Sequence, residues 1–395
     1  MQRPGRVDEQ GAKGEMAEML NPVVFEEQRA DNGARIGIAR LNAEKSLNSL
    51  SLDMIDLLNE RLSAWAKDEG IALVAMEAAG EKAFCAGADL HQLHKTMLAH
   101  HASPHRDDVL ANAYALRFFS REYRLDYLIH AYPKPVLCWG HGIVMGGGLG
   151  LMSGASHRVV TEYSRVAMPE ITIGLFPDVG GSWLLNRTPG RSGLFLALTG
   201  AQLNCADALF AGFADHMVLQ ADKPHVLESL LRQPWSASRI ENARLLTEVL
   251  RAASAPHPAP GPLRVHLDLI DELCGHADLT GIVAAIAGLK TENDWLRKAA
   301  ATLTTGSPGS AALSYALRRR LRHSSLAEVF RVELVASLAC ATRPDLAEGI
   351  RALLINKDRH PRWNPATLAD VTPEWLEGFF ASPWPAQEHP LADLP

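Results

Sequence analysis

Apolar positions along the first half of the chain alternate between two periods. Residues 35–41 (RIGIARL) read as a strand, and Leu52, Ile55, Leu58, Leu62 and Trp65 then recur at three- and four-residue steps. That spacing puts them on one face of a helix. Residues 71–76 (IALVAM) form a continuous apolar run between polar flanks, which predicts a strand buried on both faces. Residues 136–139, 157–161 and 166–168 repeat the theme. The alternation predicts an α/β domain over residues 21–225, with no internal sequence repeat.

From residue 226 helical patterns take over, and residues 226–395 are expected to be a helical C-terminal region. The stretch 254–262 (SAPHPAPGP) interrupts it with four prolines, which cannot continue a helix, so it is predicted to be a surface loop. Ser325 and Glu328 have the spacing of a capping box and open a helix carrying Leu326, Phe330, Leu334 and Leu338. Residues 363–395, rich in proline and tryptophan, are expected to wrap over the surface without regular structure. Residues 1–20 lack an apolar stretch and contain Asp8, Glu9, Glu15 and Glu18, unlike acid-poor transit peptides, and are expected to be a solvated tail.

Composition narrows the classes. Of 395 residues, 47% are hydrophobic and 21% charged, which excludes wholesale disorder. A net charge of −6 argues against a general nucleic-acid binder, since phosphate affinity needs concentrated positive charge. The uncharged run 136–156 is long enough to span a bilayer, but it holds seven glycines and His141. A buried strand, a glycine-lined turn and a buried helix are predicted instead, with no membrane partner. Five dispersed cysteines without a CxxC pair point to a reducing compartment, here the cytoplasm, and to neither a disulfide framework nor a zinc site.

Several familiar sites fail on spacing. The glycines at 146–148 and 150 are followed by no Gly-Lys-Ser/Thr and miss the third glycine of the dinucleotide fingerprint. No GxSxG nucleophile elbow exists. His91 and His94 would share a helix face, but no carboxylate or cysteine at ligand spacing completes a metal set, so a solvated helix and loop are expected over His91–His105. Arg318, Arg319, Arg320 and Arg322 are expected to form a solvated basic face.

Three segments rise above this background. In residues 80–90 (GEKAFCAGADL) the small Ala86, Gly87 and Ala88 allow close approach to the main chain, and Asp89 stands where a helix N-cap belongs. An ordinary strand-to-helix turn would look the same. In residues 134–150 (KPVLCWGHGIVMGGGLG) three consecutive glycines expose backbone N–H groups at a helix N-terminus, suited to an oxyanion developing in acyl transfer. Close helix–strand packing also demands glycine there. In residues 168–183 (MPEITIGLFPDVGGSW) Glu170 and Asp178 stand in an apolar stretch, where desolvation raises carboxyl pKa values toward the range useful for proton transfer. A surface strand end for Glu170 and a helix cap for Asp178 are the plainer alternatives.

In this order and spacing, the three segments resemble the crotonase (enoyl-CoA hydratase/isomerase) superfamily and, within it, the 3-hydroxyisobutyryl-CoA hydrolase group. Residues 41–54 (LNAEKSLNSLSLDM), 190–200 (GRSGLFLALTG), 345–358 (DLAEGIRALLINKD) and 361–365 (PRWNP) extend the resemblance over about residues 22–370. It implies an α/β fold, a spiral of ββα units with a helical C-terminal extension. It implies an acyl-CoA whose thioester oxygen lies between the backbone N–H groups of Ala88 and Gly147, with Gly146 and Gly148 beside it. Glu170 matches the retained acid of the family. Gly150 stands where hydratases carry a second glutamate, an acid at Asp178 marks the hydrolases, and Glu122 matches a further substrate-contacting carboxylate.

The activity so implied is hydrolysis of a short branched 3-hydroxyacyl-CoA, 3-hydroxyisobutyryl-CoA of valine breakdown first among them. Glu170 would attack the carbonyl or activate a water, and Asp178 would position the water. No metal or cofactor is implied, CoA being part of the substrate, and relatives of the superfamily are often trimers or pairs of trimers. A hydratase or isomerase and a non-catalytic acyl-CoA-binding protein are the rival classes. Ala88 where the hydrolases usually have glycine, the missing proline after Asn42, and Asn356 in place of an aspartate depart from the group's pattern.

Overall fold

The computed structural model describes residues 21–256 and 258–395; the expected tail at 1–20 lies outside them. Strands β1 (Val23–Arg29) and β2 (Arg35–Leu41) form an antiparallel hairpin. Helix α1 (Leu52–Lys67) follows, its first turn closed by the Ser51 side chain on Met54 N–H, with Ile55, Leu58, Leu62 and Trp65 buried as their spacing predicts. Then come β3 (Ile71–Ala78), β4 (Ala83–Cys85), α2 (Leu90–His101) and α3 (Ala113–His130). The pattern repeats with β5 (Val136–Gly140), β6 (Ile143–Met145) and α4 (Gly147–Ser153), and again with β7 (His157–Val160), β8 (Arg165–Ala167) and a 3-10 turn, Glu170–Ile173. A short β9 (His216–Met217) ends the series.

Each repeat sends one strand to each of two sheets. The larger has the order β1-β2-β3-β5-β7-β9, parallel from β2 onward, and the smaller the parallel order β4-β6-β8. This is the spiral of ββα units that the resemblance implies. Every residue of β3 is buried because the large sheet is covered on both faces. Val74, Met76, Cys138 and Val160 join the main core with α1 and α3. Leu73, Ala75, Leu137, Trp139 and Val159 instead meet Val226, Leu230, Leu246 and Leu250 of helices α5 (Lys223–Leu231) and α6 (Arg239–Ala253).

The chain beyond residue 225 is helical, and two of its helices matter for the site: α7 (Pro308–Arg320) and α8 (Leu326–Thr342). Helix α8 packs along α3, where the Tyr123 and Phe330 ring centroids are 5.7 Å apart. The proline-rich stretch 254–262 is a connection between helices, apart from a lone bridge of Ser254 to Val218 and the helical turn beginning at Pro262. Ser325 caps α8 through the Glu328 N–H, but Glu328 does not complete the box; its carboxylate pairs with Arg331.

Three expectations need correction. The 91–105 histidines are not simply solvated: His94 and His100 are buried, and His100 Nε2 bonds His105 O at 3.0 Å. The basic run is solvated at Arg319, Arg320 and Arg322, but Arg318 is half-buried. Residues 363–395 do wrap the surface, but they include a helical turn, Pro373–Glu377, whose Trp375 packs under Arg343.

Candidate active site

The three segments singled out in the sequence converge on one cavity of about 670 Å3, lined among others by Ala88, Glu122, Gly146, Gly147, Glu170 and Asp178. Its apolar walls include Met54, Leu90 and Phe119, with Leu353 and Leu354 of the turn Arg351–Ile355 contributed by the C-terminal region.

The backbone donors come from two glycine-permitted turns. Gly87 has φ 105° and Gly146 φ 50°, conformations that a side chain disfavours. The turns press together: a Cβ on Gly87 would stand 3.9 Å from Gly147 N, and one on Gly146 3.1 Å from Glu170 Oε1. Leu50 takes up the main chain on either side of Ala88, its N–H donating to Gly87 O (2.8 Å) and its carbonyl accepting from Asp89 N–H (2.7 Å). The Ala88 N–H is left without an acceptor among the described residues. Gly147 opens α4, so its N–H has no intrahelical partner, and it has none elsewhere among the described residues. Asp89 is the N-cap of α2, accepting from His91 N–H. Gly148 is the exception among the predicted positions: it faces Cys85, where it allows α4 to sit against β4, and does not line the cavity.

The carboxylates come from separate elements. Glu170 begins the 3-10 turn after β8, and Glu122 projects from the apolar face of α3. Glu122, Glu170 and Asp178 are all at most 5% exposed, so the surface strand end does not hold for Glu170; the helical turn Gly181–Leu185 is capped by Gly180 without a side-chain bond, so Asp178 is not its cap. Glu122 Oε1 and Glu170 Oε2 have no hydrogen-bond partner among the described residues. Desolvation holds both groups well above the ordinary glutamate range, with the Asp178 charge adding to it. Asp178 is pushed up to about 6 by burial, against the opposing hydrogen bond donated by Tyr123 Oη at 2.7 Å.

The turn that carries Asp178 is strained and held. Val179, a β-branched residue, has φ 52°. Glu333 of α8 accepts from Gly180 N–H (2.8 Å) and Ser182 N–H (2.9 Å), clamping the turn from behind. Burial pushes Glu333 up to about 8.

Asp126, one turn after Glu122, is fully buried, with both oxygens unpartnered among the described residues. It borders Gly150: a Cβ there would lie 3.0 Å from Asp126 Oδ2 and 2.7 Å from Val179 Cβ. Tyr123, Asp126, Glu333 and Ser337 were not singled out from the sequence. Their signal was present as polar residues three or four apart inside apolar helix stripes.

A preformed pair of free amide donors beside ionisable oxygens is a device for acyl transfer and related chemistry on a carbonyl. The chain belongs to the enoyl-CoA hydratase/isomerase family, whose model matches residues 36–380. It is 38% identical over 348 residues to the mitochondrial 3-hydroxyisobutyryl-CoA hydrolase of Danio rerio, covering 88% of this chain and 87% of that one. Identity to the Homo sapiens protein of the same name is 36% over 357 residues, with 88% and 86% covered. Among solved structures, a carnitinyl-CoA dehydratase from Mycobacterium thermoresistibile aligns with a TM-score of 0.78 at 35% identity, covering 91% of this chain and 96% of that one. An enoyl-CoA hydratase from Rhodobacter sphaeroides aligns with a TM-score of 0.77 at 34% identity, covering 92% and 98%.

Proposed function

We propose that this chain hydrolyses a short 3-hydroxyacyl-CoA thioester, with 3-hydroxyisobutyryl-CoA of valine breakdown as its substrate. The observation that carries the reading is the single cavity in which two unengaged backbone N–H groups meet Glu122, Glu170 and Asp178. Relatives at 35–38% identity named as that hydrolase support the choice of acyl group.

In this reading the Ala88 and Gly147 N–H groups receive the thioester oxygen. They hold its charge as the carbonyl carbon becomes tetrahedral, each donor being worth roughly 10²–10³ in rate. Ionised Glu170 acts in one of two ways. It attacks the carbonyl, expelling CoA thiolate and leaving an anhydride that water opens, or it takes a proton from a water that attacks directly. Asp178 orients that water and relays its proton, a contribution of roughly 10²–10⁴. The hydroxyl of water ends on the acyl group and its proton on the thiolate, so no cofactor is consumed. Glu122 accepts the substrate's 3-hydroxyl, which would occupy its unpartnered oxygen.

The rivals meet specific obstacles. A hydratase adds water with two acid/base groups, and the second position is Gly150, hemmed in by Val179 and Asp126. A non-catalytic binder has no need of Glu170 and Asp178 on the cavity wall. The test is thiol release across short acyl-CoAs with and without a 3-hydroxyl. Release is expected to be fastest with 3-hydroxyisobutyryl-CoA and to be lost in Glu170→Gln. Decay of enoyl-CoA absorbance without free thiol would favour hydration, and binding without turnover a carrier.

We extend the reading to a cytoplasmic location, supported by five free, buried cysteines. Among the described residues no helix is long and apolar enough to cross a membrane. The vertebrate relatives are named as mitochondrial.

A further inference from the structure

Asp178 sits among acids contributed by every element around it: Glu122 and Asp126 of α3, Glu170 of the 3-10 turn and Glu333 of α8. Burial disfavours the ionised carboxylate that proton relay requires, and the Asp178 charge in turn raises the pKa of each of these neighbours. The side-chain group that stabilises its charge is the Tyr123 hydroxyl, 2.7 Å from Oδ2. The same hydroxyl lies 2.6 Å from Ser337 Oγ on α8. All three side chains are at most 5% exposed, in a setting where water cannot substitute for a lost bond.

We propose that Tyr123 and Ser337 form a proton-ordered relay that keeps Asp178 ionised and aimed into the cavity. Tyr123 is then a positioning residue of the hydrolytic site, and the C-terminal helix α8 takes part in setting its chemistry. The ordering follows from donor accounting. A phenol has one proton, and an ionised carboxylate only accepts. The Tyr123 proton therefore goes to Asp178, and the Ser337 hydroxyl must donate its own to Tyr123 Oη, polarising the phenol toward the carboxylate. Burial raises the Tyr123 phenol well above its usual range, so it stays a donor throughout the working pH. Glu333, one turn before Ser337, fixes the backbone of the same turn. One face of α8 thus holds both ends of the Asp178 segment, its main chain and its charge.

The inference rests on the reading of Asp178 as the water-positioning group, and its test is independent of turnover. In protein labelled with ¹³C at aspartate carboxyls, the Asp178 signal is assigned by its loss in Asp178→Asn and titrated. Tyr123→Phe is expected to raise the midpoint by about one pH unit, the worth of a hydrogen bond to a charged group. Ser337→Ala is expected to raise it by less. At pH 6 the same shift lowers kcat about fivefold in Tyr123→Phe with KM nearly unchanged. An unmoved midpoint in Tyr123→Phe overturns the relay; should that variant not fold, an unmoved midpoint in Ser337→Ala does so. A shifted midpoint in a chain that releases no thiol supports the relay and sinks the hydrolase reading instead.

Discussion

Glu122 Oε1 lies directly over Gly147, with no room between them for a β-carbon. The glycine is therefore required for space as well as for its place at the helix start. Donor and acid are packed against each other, and a side chain at 147 displaces the carboxylate from the cavity.

Gly147→Ala keeps the backbone N–H yet is expected to lower kcat/KM for thiol release by roughly 10²–10³, the worth of one misplaced donor. Overpacking is expected to cost about 1–3 kcal/mol in thermal unfolding. Near-normal turnover would mean that Glu122 has another place to go and does not contact the substrate.

Restoring a glutamate at residue 150 is not expected to make a hydratase. The space that side chain would need holds Val179 Cβ and the Asp126 carboxyl. Gly150→Glu adds volume to a filled site and a second buried acid beside the first, and a loss of about 3 kcal/mol or more is expected. Enoyl-CoA absorbance should stay constant with the variant. A stable Gly150→Glu protein that hydrates crotonyl-CoA would contradict this account of the site.

What the sequence made legible was local. Small residues around Gly87 and Gly147, and acids following prolines at 169 and 177, mark turns whose geometry is set within a few residues, and those turns form the cavity. The strands at 35–41 and 71–76 were equally readable, because sheet burial writes itself as an apolar run. Asp126, Glu333 and Ser337 depend on contacts between helices more than 200 residues apart in the chain, and no local pattern announces which helices will meet. A faint signal existed in the break of period: Glu122 and Asp126 among Phe118, Phe119, Leu125 and Ile129, and Glu333 and Ser337 among Phe330, Leu334 and Leu338. Gly148 shows the opposite failure, since a glycine that serves packing against Cys85 is indistinguishable in sequence from one that lines a site.

Asp126 gives a stability test with a definite sign. Burial holds its pKa well above the usual 3.8, so the folded protein keeps a proton that the unfolded chain releases. Its contribution is fully present below pH 4 and is lost as pH rises toward the folded pKa. Asp126→Asn removes that loss. Its stability relative to the unaltered chain is expected to grow from pH 4 to 8 by up to about 1.4 kcal/mol per pH unit, measured by denaturant unfolding. A difference independent of pH would show that Asp126 ionises as freely in the fold as in solution.

The pH dependence of turnover runs in the opposite sense. Glu170 must be ionised to attack or to take a proton, and Asp178 to relay one. Burial raises both, Asp178 to about 6 and Glu170 well above 4.5. Activity is therefore expected to be complete at mildly alkaline pH and to fall as pH drops, with the midpoint of the acidic limb of kcat/KM at 6 or higher. A solvated aspartate would place it near 3.8. Asp178→Asn should remove one ionisation from the limb and lower kcat by roughly 10²–10⁴. An acidic limb centred below pH 5, with folding intact, would mean that neither buried acid governs thiol release, and the proton path would have to be sought elsewhere in the cavity.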